Sequence, residues 1–181
     1  MKTRMWLVEV CILAMLASCS TALPTPPAPI VDINLDPLLV IDGDLPERYQ
    51  YQGQQIKPFF PSTIDYLPEP VNIASRSFRI NNYESDGITI ALYEDEIRAN
   101  SALSSLIDAE ILKLPVENFP GAFMLIRYPK GGVTLVRLGF VRCNALVYIE
   151  IIDTETYTNV IDTTVAYGLR VNKRLESTIC K

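Results

Sequence analysis

The sequence contains no histidine. That removes the commonest general base near neutral pH, the imidazole switch and the most frequent nitrogen ligand of zinc. No Ser-His or Cys-His catalytic pair can be assembled, so Cys143 has no imidazole to activate it as a nucleophile. An excess of positive charge is also missing: 16 basic side chains stand against 21 acidic ones, a net charge of −5. An acidic chain without a basic patch argues against a nucleic-acid partner and against peripheral binding to anionic lipid. Long apolar runs are absent too. Val10 to Ala17 (V-C-I-L-A-M-L-A) is uninterrupted, but it falls well short of the ~20 residues that span a bilayer. The D-x-D-x-D-G spacing of a calcium loop does not occur. Glycine is scarce, and the one glycine-rich loop, Pro129-Lys130-Gly131-Gly132, lies between two strand-like runs. It reads as a hairpin turn, since a phosphate cradle opens onto a helix.

What is present begins with an address. Lys2 and Arg4 form a short positive region, Glu9 closes it, and the apolar run follows. Small residues at Ala17 and Ser18 then precede Cys19. This is the layout of a secretory signal peptide. The four residues Leu16-Ala17-Ser18-Cys19 resemble the lipobox of bacterial lipoproteins. The resemblance implies that residues 1–18 are removed and that Cys19 carries the lipid. The chain is then held outside the cytoplasm, at an outer membrane or the outer face of the cell membrane. The alternative is an ordinary signal peptide cut near Ala22, with Cys19 discarded. Two or three acyl chains hold a domain stably where one does not, at roughly 0.8 kcal/mol per buried methylene. Ser20 to Pro29 has four prolines in ten residues. Such a segment favours polyproline II and reads as a semi-stiff stalk of roughly 30 Å.

Beyond residues 19–29 the remaining chain, 30–181, has the length of one domain. The sequence is 49% hydrophobic, enough for a proper core. Removing Lys2, Arg4 and Glu9 with the leader leaves 14 basic against 20 acidic side chains, a net of −6. Of four cysteines, Cys11 lies in the leader and Cys19 is the lipid site. Cys143 and Cys180 remain as an even pair in a compartment where disulfides form, and a bond between them is expected. The alternative is two unpaired buried thiols.

Residues 30–70 are expected to be irregular, because their prolines forbid long helices and central strands. Leu38 to Ile41 is the one stretch there that suits a short element. Tyr49, Tyr51, Phe59, Phe60 and Tyr66 supply rings that pin this segment to a core or face a ligand or partner. From residue 71 the pattern is regular. Strands are expected at Val71–Ile80 and Ile88–Tyr93, joined through the turn formers of 81–87. A helix opens at Glu94-Asp95-Glu96, carries Leu103, Leu106, Ile107, Ile111 and Leu114 on one face, and stops at Pro115. Strands follow at Ala122–Tyr128, Val133–Phe140 and Leu146–Ile152, the last apolar on both sides and therefore central. A final helix runs from about Thr156 to Leu175. Tyr157, Val160, Ile161, Val165 and Leu169 lie on one face, and Asp153, Thr154 and Thr156 are capping candidates. Arg170, Lys173 and Arg174 suit its negative end.

The order β-β-α-β-β-β-α predicts an α+β domain: about five antiparallel strands with two helices on one face. It also brings the cysteines together. A strand from 146 to 152 rises about 23 Å from the 142–144 turn, and the last helix returns along it by about 30 Å. Cys180 then lies beside Cys143. Closing that loop is worth roughly 3–4 kcal/mol in the loop-entropy model.

Candidate chemistry is sparse. Glu94-Asp95-Glu96 reads as a helix start, Asp42-Gly43-Asp44 as a turn, and Glu150, Asp153 and Glu155 as solvated element ends. No catalytic residue, metal site or cofactor is expected. The expected function is a lipid-anchored, non-catalytic binding or accessory module of the cell envelope. Its partners are the membrane, through the lipid, and possible envelope proteins. Two other readings are carried: a carboxylate-dependent envelope hydrolase, whose chemistry needs no histidine, and a small-ligand sensor.

Overall fold

The computed structural model describes residues 32–39, 43–54, 67–80, 83–108, 114–127, 132–154 and 157–180. Three helices and seven strands occur among them: α1 (Asp36–Leu39), β1 (Tyr49–Gln54), β2 (Asn72–Ile80), β3 (Tyr83–Leu92), α2 (Glu96–Asp108), β4 (Leu114–Pro115), β5 (Phe123–Arg127), β6 (Thr134–Arg142), β7 (Ala145–Asp153) and α3 (Tyr157–Thr178). The strands form one antiparallel sheet in the order β1-β2-β3-β7-β6-β5-β4. This is the expected α+β class.

β7 is the middle strand, as its two-sided apolar run predicts. Ala145, Val147, Ile149 and Ile151 enter one core cluster with Val160, Tyr167, Val171 and Leu175 of α3. Leu146 and Tyr148 enter a second cluster with Ala99, Ala102, Leu103 and Leu106 of α2. Successive side chains of a strand alternate between faces, so the two long helices cover opposite faces of the sheet. The expectation of both helices on one face is corrected by this parity. A strand apolar on both sides needs a cover on both.

Two strands exceed the expected five. β1 lies inside 30–70, where irregular chain was expected. Tyr49–Gln54 carries no proline, so each residue keeps its N–H, and Tyr49, Gln50 and Tyr51 pair with Ile80, Arg79 and Phe78. β4 replaces the expected last turn of the first long helix: Leu114 and Pro115 pair with Met124 and Phe123. Proline is tolerated there because β4 is the sheet edge, where a missing N–H breaks no ladder.

The β2–β3 connection is tighter than the turn formers of 81–87 imply. β3 already begins at Tyr83, and the register with β2 shifts by one between Arg76 and Phe78. Gly87 sits at that shift with φ +88°. A Cβ there would fall 1.8 Å from the Arg76 carbonyl oxygen. It is a bulge glycine, not a turn glycine.

α2 is capped by Asp95, whose Oδ1 accepts from Arg98 N–H at 2.7 Å, and Glu94 pairs with Arg98 at 3.0 Å. The acidic triplet is thus a helix start. α3 runs to Thr178, with no basic residue in its last turn, so Arg170, Lys173 and Arg174 stand too far back to serve its C-terminal dipole. Its buried stripe is Val160, Thr164, Tyr167, Gly168, Val171 and Leu175. Leu169, expected on the apolar face, is exposed. Gly168 lets α3 approach β6, since a Cβ would lie 2.4 Å from Leu138 Cδ2.

The helix ends where the geometry requires. Cys143 and Cys180 are joined by a disulfide with Cα atoms 5.8 Å apart. Cys143 occupies the β6–β7 turn at φ 54°, a conformation uncommon for a non-glycine residue. Neighbours fix that turn. Tyr93 N–H donates to Asn144 O at 2.9 Å, and Asn144 Nδ2 donates to Tyr93 O at 2.8 Å. Arg142 also pairs with Glu176 of α3.

Candidate functional site

Buried charge is rare in the described residues and concentrates in three places. The first is on β7 beneath α2's side of the sheet. Glu150 and Arg137 are directly opposed on β7 and β6, and their side chains form an ion pair with 2% and 14% exposure. Nearby on the same face, the hydroxyls of Ser75 and Thr89 share a 2.8 Å hydrogen bond. A turn of only Cys143 and Asn144 sets the β6–β7 register and so places arginine against glutamate.

The second is at the other end of β7. Asp153 is 2% exposed and accepts from Arg48 Nε at 3.1 Å and from Tyr49 Oη at 2.8 Å. The Arg48 guanidinium also lies 5.0 Å from the Tyr49 ring centroid. Burial and then the Asp153 hydrogen bond push the Tyr49 hydroxyl well above the ordinary tyrosine range. Asp153 was a helix-capping candidate and, with Glu150, a solvated element end. Both carboxylates are instead buried and paired with arginine, because β7 is central and both of its faces are covered.

The third place is α3 where it meets the chain before β1. Leu35, Leu38, Leu39 and Leu45 are buried in the α3-side core. Tyr167 Oη donates to Leu39 O at 2.6 Å, and Arg174 Nη1 donates to Leu38 O at 3.1 Å. Arg170 donates to the Asp44 carbonyl, and Arg174 forms an ion pair with the Asp44 carboxylate. Asp44, expected in a plain turn, is 9% exposed. Asp44, Arg170, Lys173, Arg174 and Ser177 line a shallow depression of about 360 Å³.

The residues singled out from sequence fall as follows. Tyr49 is 5% exposed and committed to the interior through Asp153. The backbone of Tyr51 lies in β1 opposite Phe78. Cys19, Phe59, Phe60 and Tyr66 lie outside the described residues, as does Glu155. Cys143 and Cys180 are paired. Among the described residues no three His, Cys, Asp or Glu side chains converge to hold a metal, and no helix is long and apolar enough to cross a membrane. Arg48, Arg137, Arg170 and Arg174 partner the buried acids without forming any sequence motif with them. For Arg137 a signal existed, since it and Glu150 are equidistant from the Cys143-Asn144 turn. For Arg48 and Asp153, 105 residues apart, there was none.

Comparison with protein-family models, with curated proteins and with solved structures finds no match to this chain.

Proposed function

We propose that the chain is a lipid-anchored exported protein whose single α+β domain serves as a non-catalytic binding or accessory module of the cell envelope. The observation that carries this reading is Leu16-Ala17-Ser18-Cys19 at the end of an apolar run. The proline-rich 20–29 stretch behind it suits a stalk. The Cys143–Cys180 disulfide supports an oxidising compartment. The buried docking of Leu35, Leu38, Leu39, Leu45 and Tyr49 against α3 and β7 suits a domain tethered by its N-terminal side, because load on the tether passes directly into the core.

The hydrolase reading loses support. It needs two carboxyl groups facing one cleft, within about 5–10 Å of each other. Glu150 and Asp153 point to opposite faces of β7, and each is bound to arginine.

Intact mass spectrometry of the protein made in a bacterial host tests the proposal. The expected species starts at Cys19 and carries diacylglycerol, and reduction adds two hydrogens. A lipid-free chain starting beyond Cys19 overturns the anchor.

A further inference from the structure

From the geometry of α3 we infer a binding site for a phosphate-type oxyanion in the depression lined by Asp44, Arg170, Lys173, Arg174 and Ser177. The site deepens the binding-module reading by naming a ligand class. It stands on α3 and the residues before β1 that bind it, and the lipid anchor is tested separately by the intact mass.

The argument starts from the sequence spacing. Positions 170, 173, 174 and 177 fall at i, i+3, i+4 and i+7, which places them on one stripe of a helix. Three cations on such a stripe repel one another. The helix dipole does not reward them, because α3 extends to Thr178 with no basic residue in its last turn. The chain as a whole is acidic, at −5, so this concentration stands against the general field. Asp44 offsets one charge of the three, leaving the depression net positive.

Two of the cations are also held in place. Arg174 is fixed by Leu38 O and by the Asp44 carboxylate, and its side chain is 16% exposed. Arg170 is fixed by the Asp44 carbonyl. A guanidinium has five N–H donors. Among the described residues Arg170 uses one and Arg174 two. Both arginines line the depression with the exposed Lys173 and with Ser177, whose hydroxyl donates to Arg174 O at 2.8 Å. Guanidinium forks with spare donors and a mobile point charge are the groups that recognise tetrahedral oxyanions. A phosphate group on a soluble molecule and one in a lipid headgroup share this chemistry.

The test uses the full chain with Cys19→Ser, so that no lipid obscures binding. Inorganic phosphate and pyrophosphate are titrated at fixed ionic strength, with chloride as control, while the amide resonances of residues 170–177 are followed. The expected result is saturable shifts confined to that stretch and the Asp44 loop. Lys173→Glu, at a position with no hydrogen bond or ion pair among the described residues, should weaken binding by about fivefold or more. Arg170→Lys keeps the charge and loses the fork, and should weaken it further. Sedimentation with phosphatidylglycerol vesicles, against phosphatidylcholine vesicles, separates the sources. Lys173-dependent vesicle binding assigns a headgroup, and phosphate binding without it assigns a soluble ligand. Shifts that chloride reproduces, or that Lys173→Glu leaves unchanged, overturn the site.

Discussion

Glu150 and Asp153 stand three residues apart on β7 and point to opposite faces of the sheet, each buried against its own arginine. Both are 2% exposed. Removing one partner of a buried pair strands the other charge, which costs about 3–5 kcal/mol. Arg137→Ala should therefore lower unfolding stability by about 3 kcal/mol in urea titrations. Replacing both, Arg137→Met with Glu150→Met, should recover most of that loss. A double variant as unstable as the single one would assign Glu150 a role beyond its pairing.

At the other end of β7, the Asp153 pair fastens the chain before β1. Tyr49→Phe deletes one hydrogen bond to a buried carboxylate and should cost about 1.5–3 kcal/mol. Hydrogen exchange gives the sharper readout. Leu38 N–H, bonded to Leu35 O at 2.9 Å, and Tyr49 N–H, bonded to Pro46 O at 2.9 Å, should exchange faster in the variant. Amides of β6 should not respond selectively. Uniform acceleration across the sheet would mean that this segment has no separate opening reaction.

Much of the sheet was legible because its signals are local. The run Leu146–Ile152 is apolar at odd and even positions alike, which places it in the centre, although the cover it demands on each side contradicts the expectation of both helices on one face. Cys143 and Cys180 could be paired as the two cysteines left over, with strand and helix lengths bringing them together. The register of α3 was harder. Ile161 and Val165 pack at the margin of the core and Leu169 is exposed, whereas the fully buried stripe includes Thr164 and Gly168, which do not read as core. Thr164 is satisfied by donating to Val160 O at 2.7 Å, and Gly168 is chosen for close approach. The α3 depression was illegible for another reason. Whether Asp44 turns outward or toward Arg174 depends on where α1 docks, and no local pattern encodes that.

The disulfide holds a turn that is uncommon for its residue type. Cys143→Ser with Cys180→Ser opens a loop with a sequence separation of 37, and the loop-entropy model gives a loss of about 4 kcal/mol. Either single variant should lose nearly as much. The Arg142–Glu176 ion pair remains in all three variants, but both side chains are at least 40% exposed and such pairs contribute little. Faster exchange at Ile179 N–H, bonded to Leu175 O at 2.8 Å, should accompany the loss. Unchanged denaturation midpoints in the double variant would show that packing of Leu175 and Ile179 alone secures the helix end.

Tyr93 offers a prediction with the opposite sign. Its ring is fully buried beside α2, and its hydroxyl has no hydrogen-bond partner among the described residues. Tyr93→Phe removes a desolvated polar group while keeping the ring, and should stabilise the domain by about 1 kcal/mol at neutral pH. Burial also pushes the Tyr93 hydroxyl up from 10.0 to about 12. The unfolded chain therefore releases this proton first as pH rises. Stability is intact below pH 10 and falls progressively toward pH 12, by about 2–3 kcal/mol from this group. Tyr49, shifted in the same direction, adds to the alkaline loss. Urea midpoints of Tyr93→Phe and the parent, compared at pH 8 and pH 11, should diverge further at the higher pH. Parallel curves would mean that the hydroxyl is hydrated in the folded protein and titrates there as it does in the unfolded chain.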